Sequence, residues 1–137
     1  HVQDMRARAA AAGREVGVLA TCHVVCRATQ VEAEDTYERY AVTLADEAAV
    51  DRHIAGKREN SGSHDPEAYR LHRKRFAGGA GTFPLVGTPE TIAGQMLRMA
   101  EAGFAGTALS FLDFLGELPP FLESVPPLLR EAGLRTA

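Results

Sequence analysis

Residues 84–123, PLVGTPETIAGQMLRMAEAGFAGTALSFLDFLGELPPFLE, constrain the fold more than any other stretch of this chain. Two short apolar runs flank a segment whose apolar residues recur at helical spacing. Thr88 can cap that helix, Pro89 suits its first turn, and Gly103 suits a left-handed end. The second apolar run, 106–111, has the pattern of a strand buried on both faces. Strand, helix, strand and helix predict a βαβα unit in a parallel sheet with a right-handed crossover.

The N-terminal part predicts a helix, a strand and further helix. Residues 2–12 are rich in Ala and Arg and should be helical. Residues 16–26, VGVLATCHVVC, form the most strand-like run in the chain. Thr29 and Glu32 have the spacing of a capping box, so a helix should follow, and helical structure is expected to continue to Ile54.

Residues 56–82 interrupt this pattern. The segment is polar, contains several glycines and has no strand pattern. One short helix is expected from Asp65 to Phe76, where the GGAG run at 78–81 should end it. A connection of this length in a compact α/β chain is typical of a lid or a partly disordered loop.

The order of elements predicts part of a larger structure. A last helix is expected over residues 118–132, in which Pro126 and Pro127 should cause a kink or a split. The chain then has three strands at most, and its 137 residues suit a single domain, 1–137. A complete (β/α)8 barrel takes about 250 residues. We therefore expect an α/β fold that is the C-terminal portion, about half, of a TIM barrel, with parallel strands, outer helices and a long insertion loop.

Composition limits the partners. The net charge of −3 gives no general attraction to nucleic acid or to an anionic membrane. No run of about 18 apolar residues is present, so no membrane span is expected. Cys22 and Cys26 are too few for a disulfide framework and too far apart on one strand to bond, which favours a reducing, cytoplasmic setting. The chain begins with His1 rather than Met, which indicates a fragment or a processed product.

Three segments together resemble one enzyme family. They are MRARAAAAGREVGVLATCHVVCRATQVEAED, GGAGTFPLVGTPETIAGQM and AGFAGTALSFLDFLGELPPFLESVPPLL. In order and spacing they are similar to the C-terminal part of the luciferase-like flavin-dependent monooxygenases, the bacterial luciferase superfamily. The nearest resemblance is to the alkanesulfonate, dimethyl sulfone and pyrimidine oxygenases.

The resemblance implies a TIM barrel with FMN at the C-terminal ends of its strands. Such enzymes use reduced flavin from a partner reductase and O2 to oxidise a small organic substrate, and a minority of the superfamily uses F420 instead. Their flavin-phosphate segment lies upstream of anything in this chain. The resemblance therefore implies a fragment that is inactive without an N-terminal half and that lacks most of the flavin site, which leaves open whether it binds flavin alone.

His23 is the candidate catalytic residue. Alternation places it with Thr21 on one face of the strand, away from Cys22 and Cys26. The resemblance places His23 where alkanesulfonate oxygenases keep an active-site histidine, and the family's arginine two residues earlier is Thr21 here. His23 could handle a proton over the flavin, or it could be a buried histidine satisfied by a neighbour. With the cysteines facing away and no second ligand pair, no metal site is expected.

Two further regions supply candidate substrate or lid residues. The position of the family's lid arginine is occupied by Ala77 here, so Arg75 is the nearest candidate for binding an anion. The alternative is that the basic cluster at residues 73–75 is a solvated helix end. On the last strand, Ser110 lies where barrels present active-site groups, and Leu112 replaces the family's tyrosine. Asp113 could belong to the site, but a helix cap is the favoured alternative.

Two functions stay open. In the first, the chain is part of an FMN-dependent monooxygenase, with a small-molecule substrate and a flavin reductase as partners. In the second, it is a non-catalytic half-barrel stabilised by self-association. A half-barrel leaves sheet edges and apolar faces uncovered, so a homodimer or larger homo-oligomer is expected if the chain is stable alone.

Overall fold

The computed structural model describes residues 1–58 and 65–134. Its elements, in chain order, are α1 (Val2–Ala11), β1 (Leu19–Cys26), α2 (Gln30–Glu38), a π-helical turn (Arg39–Thr43), α3 (Glu47–Arg58), α4 (Pro66–Gly79), β2 (Phe83–Gly87), α5 (Pro89–Glu101), β3 (Gly106–Phe111) and α6 (Phe114–Glu131). All three strands are parallel, which confirms the predicted α/β class.

The sheet has the order β2-β1-β3, so β1 is the central strand. His23 is in register with Pro84 on one side and with Ser110 on the other. The two strands of the βαβα unit share the sheet but do not pair with each other, because β1 lies between them. The crossover helix α5 is 13 residues long and passes from β2 over β1 to β3.

Opposite faces of the sheet pack against different helices. On one face, Cys22 and Val24 join a buried cluster with Ile92 of α5 and with Phe121 and Val125 of α6. On the other face, Val25 packs with residues of α2 and of the π-helical turn, namely Ala33, Tyr37 and Ala41. Full burial of a side chain such as Ile92 stabilises the fold by about 1.5–3 kcal/mol. The two faces match the alternation expected from the sequence.

Most predicted helix ends are confirmed. The Thr88 hydroxyl accepts the amide of Thr91 at 3.3 Å, and the Thr29 hydroxyl accepts that of Glu32 at 3.2 Å. Gly103 ends the α5 region at φ 96°. Asp65 caps α4, which continues to Gly79 instead of stopping at Phe76.

The last helix differs most from the expectation. Asp113 caps α6 by accepting the amide of Leu115 at 3.0 Å, so the helix begins four residues before residue 118. The expected split at Pro126 and Pro127 does not occur, and α6 runs through both of its proline pairs. Val125 and Pro126 are buried in the core, and this packing offsets the lost backbone hydrogen bonds.

Part of the predicted lid, residues 59–64, lies outside the described residues. Within 65–82 the predicted lid consists mainly of α4, which packs on the π-helical turn and on both β1 and β2. In the described part of the chain, no helix combines the length and the apolarity that a bilayer crossing needs.

Candidate active site

His23 lies in the middle of the central strand and is only 4% exposed. Its ring faces α2, where the ring of Tyr37 has its centroid 5.4 Å away. Burial lowers the pKa of His23 below the ordinary value of 6.5, because the cationic form loses hydration there. The imidazole is therefore neutral at pH 7.

One nitrogen of His23 is hydrogen bonded and the other is not. Nδ1 lies 2.8 Å from Oγ1 of Thr82, the residue just before β2. The Thr82 hydroxyl donates in turn to the carbonyl oxygen of Gly79 at 2.6 Å. Nε2 is buried and has no hydrogen-bond partner among the described residues. Buried polar atoms are nearly always paired, so an unpaired Nε2 is a candidate contact for a ligand.

Two glycines at the end of α4 allow this helix to approach the site. A Cβ on Gly79 would overlap the imidazole of His23, lying 2.6 Å from its Cγ atom. A Cβ on Gly78 would lie 2.6 Å from Cε2 of Tyr37. Both distances are far below van der Waals contact, so neither position accepts a side chain without movement. The glycines in GGAG thus have a packing role as well as ending the helix.

Two cations of α4 act on Tyr37. Lys74 has its Nζ 4.8 Å from the Tyr37 ring centroid and pairs with Glu38. Burial raises the pKa of Tyr37, and the nearby charge of Arg75 opposes that rise. The Tyr37 hydroxyl is buried and unpaired within the described residues. A second unpaired polar group therefore lies on the His23 side of the sheet.

Arg75 projects from α4 beside this cluster. Its guanidinium carbon is 5.5 Å from the ring centroid of Phe83, and its Nε is buried without a partner in the described chain. Its neighbour Arg73, by contrast, pairs with both Glu47 and Asp51. The three basic residues at 73–75 are all half-buried, so they are not a fully solvated helix end.

The two predicted site residues on the strands, Ser110 and Thr21, lie on the His23 face of the sheet with different surroundings. Ser110 is beside His23 in register, and its hydroxyl donates to the carbonyl oxygen of Cys22 at 3.3 Å. Thr21 is exposed, two residues before His23. Asp113 serves as the α6 cap described above. The structure thus brings His23 close to Ser110, and Arg75 lies one helical turn before Gly79.

Sequence reasoning did not identify Thr82 and Tyr37 as site residues. The pattern that could have found Thr82 is its position directly after the GGAG run at 78–81 and before a strand, where backbones can approach closely. Tyr37 lies four residues after Ala33, a spacing that indicates a buried helix face and not a site.

Both cysteines are free thiols, with Cys22 buried and Cys26 partly buried. Burial raises the pKa of each thiol. Over the residues that the structure describes, no group of three or more His, Cys, Asp or Glu side chains could hold a metal ion.

A family model described as luciferase-like monooxygenase matches residues 1–106. The chain belongs to the luciferase-like monooxygenase family. A curated relative in this family is the FMNH2-dependent dimethylsulfone monooxygenase of Pseudomonas putida, which is 31% identical over 95% of this chain. The match covers 37% of that relative, so the chain spans little more than a third of its length.

Solved structures give the same family fold. DmoA from Hyphomicrobium sulfonivorans superposes with a TM-score of 0.74 at 22% identity, covering 98% of this chain and 35% of DmoA. Riboflavin lyase RcaE, solved with modified FMN and riboflavin, gives 0.66 at 29% identity over 98% of this chain and 36% of RcaE. Long-chain alkane monooxygenase LadA gives 0.69 at 23% identity over 99% and 34%. Coverage of about a third of each structure is consistent with a partial barrel.

The polar groups of this luciferase-like chain fit one wall of a flavin site. His23 Nε2, the Tyr37 hydroxyl and Arg75 Nε are all buried without a partner among the described residues. Tyr37 faces His23, and the charge of Arg75 acts on Tyr37. A cleft of about 390 Å³ lies between α2, α3 and α4 and is lined by Glu38, Val42, Arg73 and Lys74 among others, but not by His23. The described residues therefore supply polar contacts for a flavin or its substrate without enclosing one.

Proposed function

We propose that this chain forms the C-terminal part of the barrel of an FMN-dependent monooxygenase. In this proposal the enzyme oxidises a small organic substrate with O2 and reduced FMN, which a separate flavin reductase supplies in the cytoplasm. Family membership and the FMNH2-dependent relative support the flavin. The observation that carries the proposal is the unpaired Nε2 of His23, buried at the centre of the sheet.

Reduced FMN, when bound, supplies two electrons, so that one oxygen atom of O2 enters the substrate and the other leaves as water. The residues of this chain bind and orient. His23 accepts a hydrogen bond through Nε2, and Ser110 borders it on the neighbouring strand. Arg75 holds an anionic or electron-rich group through its free Nε, and Thr21 lines the exposed part of the same face.

The test compares this chain with a longer protein that joins it to the N-terminal part of the barrel. We expect reduced FMN to bind the longer protein, measured by anaerobic titration with flavin fluorescence, and to bind this chain weakly or not at all. His23→Ala in the longer protein should lower turnover by about 10²–10⁴-fold, the usual contribution of a proton-handling group.

His72→Ala is the matched control, because His72 is a half-buried histidine on α4. It should leave turnover within about twofold, since substitutions away from functional groups have small effects. Equal turnover in the His23→Ala variant, with unchanged thermal unfolding, would remove His23 from the reaction. Failure of the longer protein to bind FMN would contradict the flavin assignment.

A second candidate function follows from exposed apolar side chains. Leu19 of β1 is 64% exposed, and Leu112 and Leu115 at the other end of the sheet are 70% and 91% exposed. Exposed apolar groups of this kind favour association, so a non-catalytic half-barrel would form a homodimer or larger homo-oligomer. Size-exclusion chromatography with light scattering tests the second candidate. A stable monomer would contradict the self-associating half-barrel.

A further inference from the structure

We propose that Thr82 is a positioning residue that holds His23 as the Nδ1–H tautomer, so that Nε2 presents a lone pair to a ligand that donates a hydrogen bond. The tautomer follows from the contacts of this chain alone. Only the identity of the ligand, a flavin or its substrate, rests on the proposed function.

The direction of two hydrogen bonds determines the tautomer. A threonine hydroxyl carries one hydrogen, and that of Thr82 is donated to the carbonyl oxygen of Gly79 at 2.6 Å. In its 2.8 Å contact with Nδ1 of His23, the Thr82 oxygen must therefore accept. Nδ1 then carries the ring hydrogen, and in the neutral ring Nε2 carries the lone pair.

The backbone around Thr82 maintains this arrangement. The Gly79 carbonyl accepts the Thr82 amide at 3.0 Å as well as the hydroxyl, so it holds both donors of one residue. Between them, Ala80 adopts φ 53°, the only left-handed non-glycine conformation among the described residues. The missing side chain of Gly79 lets the imidazole reach the turn. A strained turn of this kind is typically retained where function requires its geometry.

Burial favours the neutral ring of His23. On α2, Tyr37 faces the imidazole, and on α4, Lys74 and Arg75 lie close to Tyr37. Glu38, the last residue of α2, pairs with Lys74. Pro84 and Ser110, the neighbours on β2 and β3, do not titrate. In this tautomer the buried Nε2 carries a lone pair and no hydrogen, so it can bond a ligand N–H or O–H but not an oxyanion.

The test is the tautomer of His23 in the full chain, labelled with 15N at its histidines. Long-range 1H–15N correlation spectra at neutral pH separate protonated from unprotonated ring nitrogens. We expect His23 to show a protonated Nδ1 and an unprotonated Nε2. A protonated Nε2 with an unprotonated Nδ1 in the unmutated chain would overturn the proposal directly, without any substitution.

Two variants of Thr82 then test its role. Thr82→Val removes the hydroxyl and keeps the shape, so the ratio of the two tautomers should change by roughly threefold to tenfold, as the net worth of one buried hydrogen bond implies. Thr82→Ser should restore the ratio of the unmutated chain. Thr91→Val, which removes a hydroxyl bonded to Thr88 and not to His23, is the matched control.

Each outcome has one meaning. An unchanged tautomer ratio in folded Thr82→Val contradicts the positioning role. If Thr82→Val does not fold, Thr82→Ala removes the same hydroxyl and decides: a changed tautomer ratio relative to the unmutated chain supports the role, and an unchanged ratio contradicts it. None of these measurements needs flavin, so the tautomer can be established even where FMN binding fails. Likewise, FMN binding by the longer protein can be confirmed even where the tautomer proposal fails.

Discussion

The guanidinium of Arg27 and the carboxylate of Glu117 meet at 2.6 Å between the end of β1 and the first turn of α6. Arg27 also donates to the carbonyl oxygen of Cys26 at 2.7 Å. The second oxygen of Glu117 accepts the amides of Leu112 and Asp113, each at 3.1 Å. One carboxylate thus ties the β3–α6 loop to the C-terminal end of the central strand, the end at which barrel enzymes place their sites.

Glu117→Ala should lower the free energy of unfolding by about 2–3 kcal/mol, because it leaves a half-buried Arg27 and two amides without their acceptor. Urea denaturation monitored by circular dichroism measures the change. Glu123→Ala, an exposed acid on the same helix, should stay within about 0.5 kcal/mol. Equal effects of the two substitutions would show that the Glu117 contacts contribute little.

Gly79→Ala and Gly94→Ala should act in opposite directions. Gly79 is the last residue of α4 and touches His23, so a methyl group there should cost about 1–3 kcal/mol through overpacking. Gly94 is inside α5, and the nearest atom to its Cβ position is 3.8 Å away. Alanine at 94 should therefore stabilise by about 0.5–1 kcal/mol. Thermal unfolding of both variants checks the signs, and a neutral Gly79→Ala would mean that α4 can move off the sheet at little cost.

The sequence predicted features that depend on local spacing. Thr88, Thr29 and Asp65 were placed at helix N-termini correctly, because capping needs only a hydroxyl or carboxylate within three residues of the amides it accepts. The position of His23 opposite Cys22 followed from strand alternation. Strand 106–111 was also predicted with its observed bounds.

Features that depend on packing were not predictable from local pattern. Nothing in residues 84–111 indicates that β1 inserts between β2 and β3, since strand order depends on contacts far apart in sequence. The Thr82–His23 hydrogen bond joins residues 59 positions apart. At Pro126 the local rule predicted a break, and burial of this residue in the core outweighs that local preference.

His23 should make the stability of the chain depend on pH. Burial lowers its folded-state pKa below 6.5, so as the pH falls past 6.5 the unfolded state binds more protons than the folded state. The contribution of neutral His23 to the free energy of unfolding is therefore fully present above about pH 6.5. It is lost as the pH falls toward the folded-state pKa, at no more than about 1.4 kcal/mol per pH unit.

Urea unfolding at about pH 7.5 and pH 5.5 tests this dependence. We expect the unmutated chain to lose more stability between the two pH values than His23→Gln, which cannot take up a proton at this position. Identical losses in both proteins would assign the pH dependence to other groups.

Arg75 and Arg73 should differ in what they support. Arg75→Ala loses a cation–π contact with Phe83, so its stability cost should be only about 0.5–1 kcal/mol. In the longer protein it should lower turnover or raise the KM for the substrate, because its buried Nε has no partner among the described residues and its charge acts on Tyr37, which faces His23. Arg73→Ala breaks pairs with Glu47 and Asp51 and should lower stability by about 1 kcal/mol without changing turnover. Equal kinetic effects would argue against Arg75 as the clamp.

The prolines of α6 should differ in their effect on stability according to burial. Pro120 is exposed inside the helix, so Pro120→Ala restores a backbone donor at little packing cost and should stabilise the chain by about 1–3 kcal/mol. Pro126 is buried with Val125, so Pro126→Ala regains the donor but removes packed atoms, and the two effects should largely cancel. Urea midpoints of the two variants measure this difference. Stabilisation of equal size at both positions would show that the Pro126 ring adds no packing energy, and that α6 continues through its prolines for another reason.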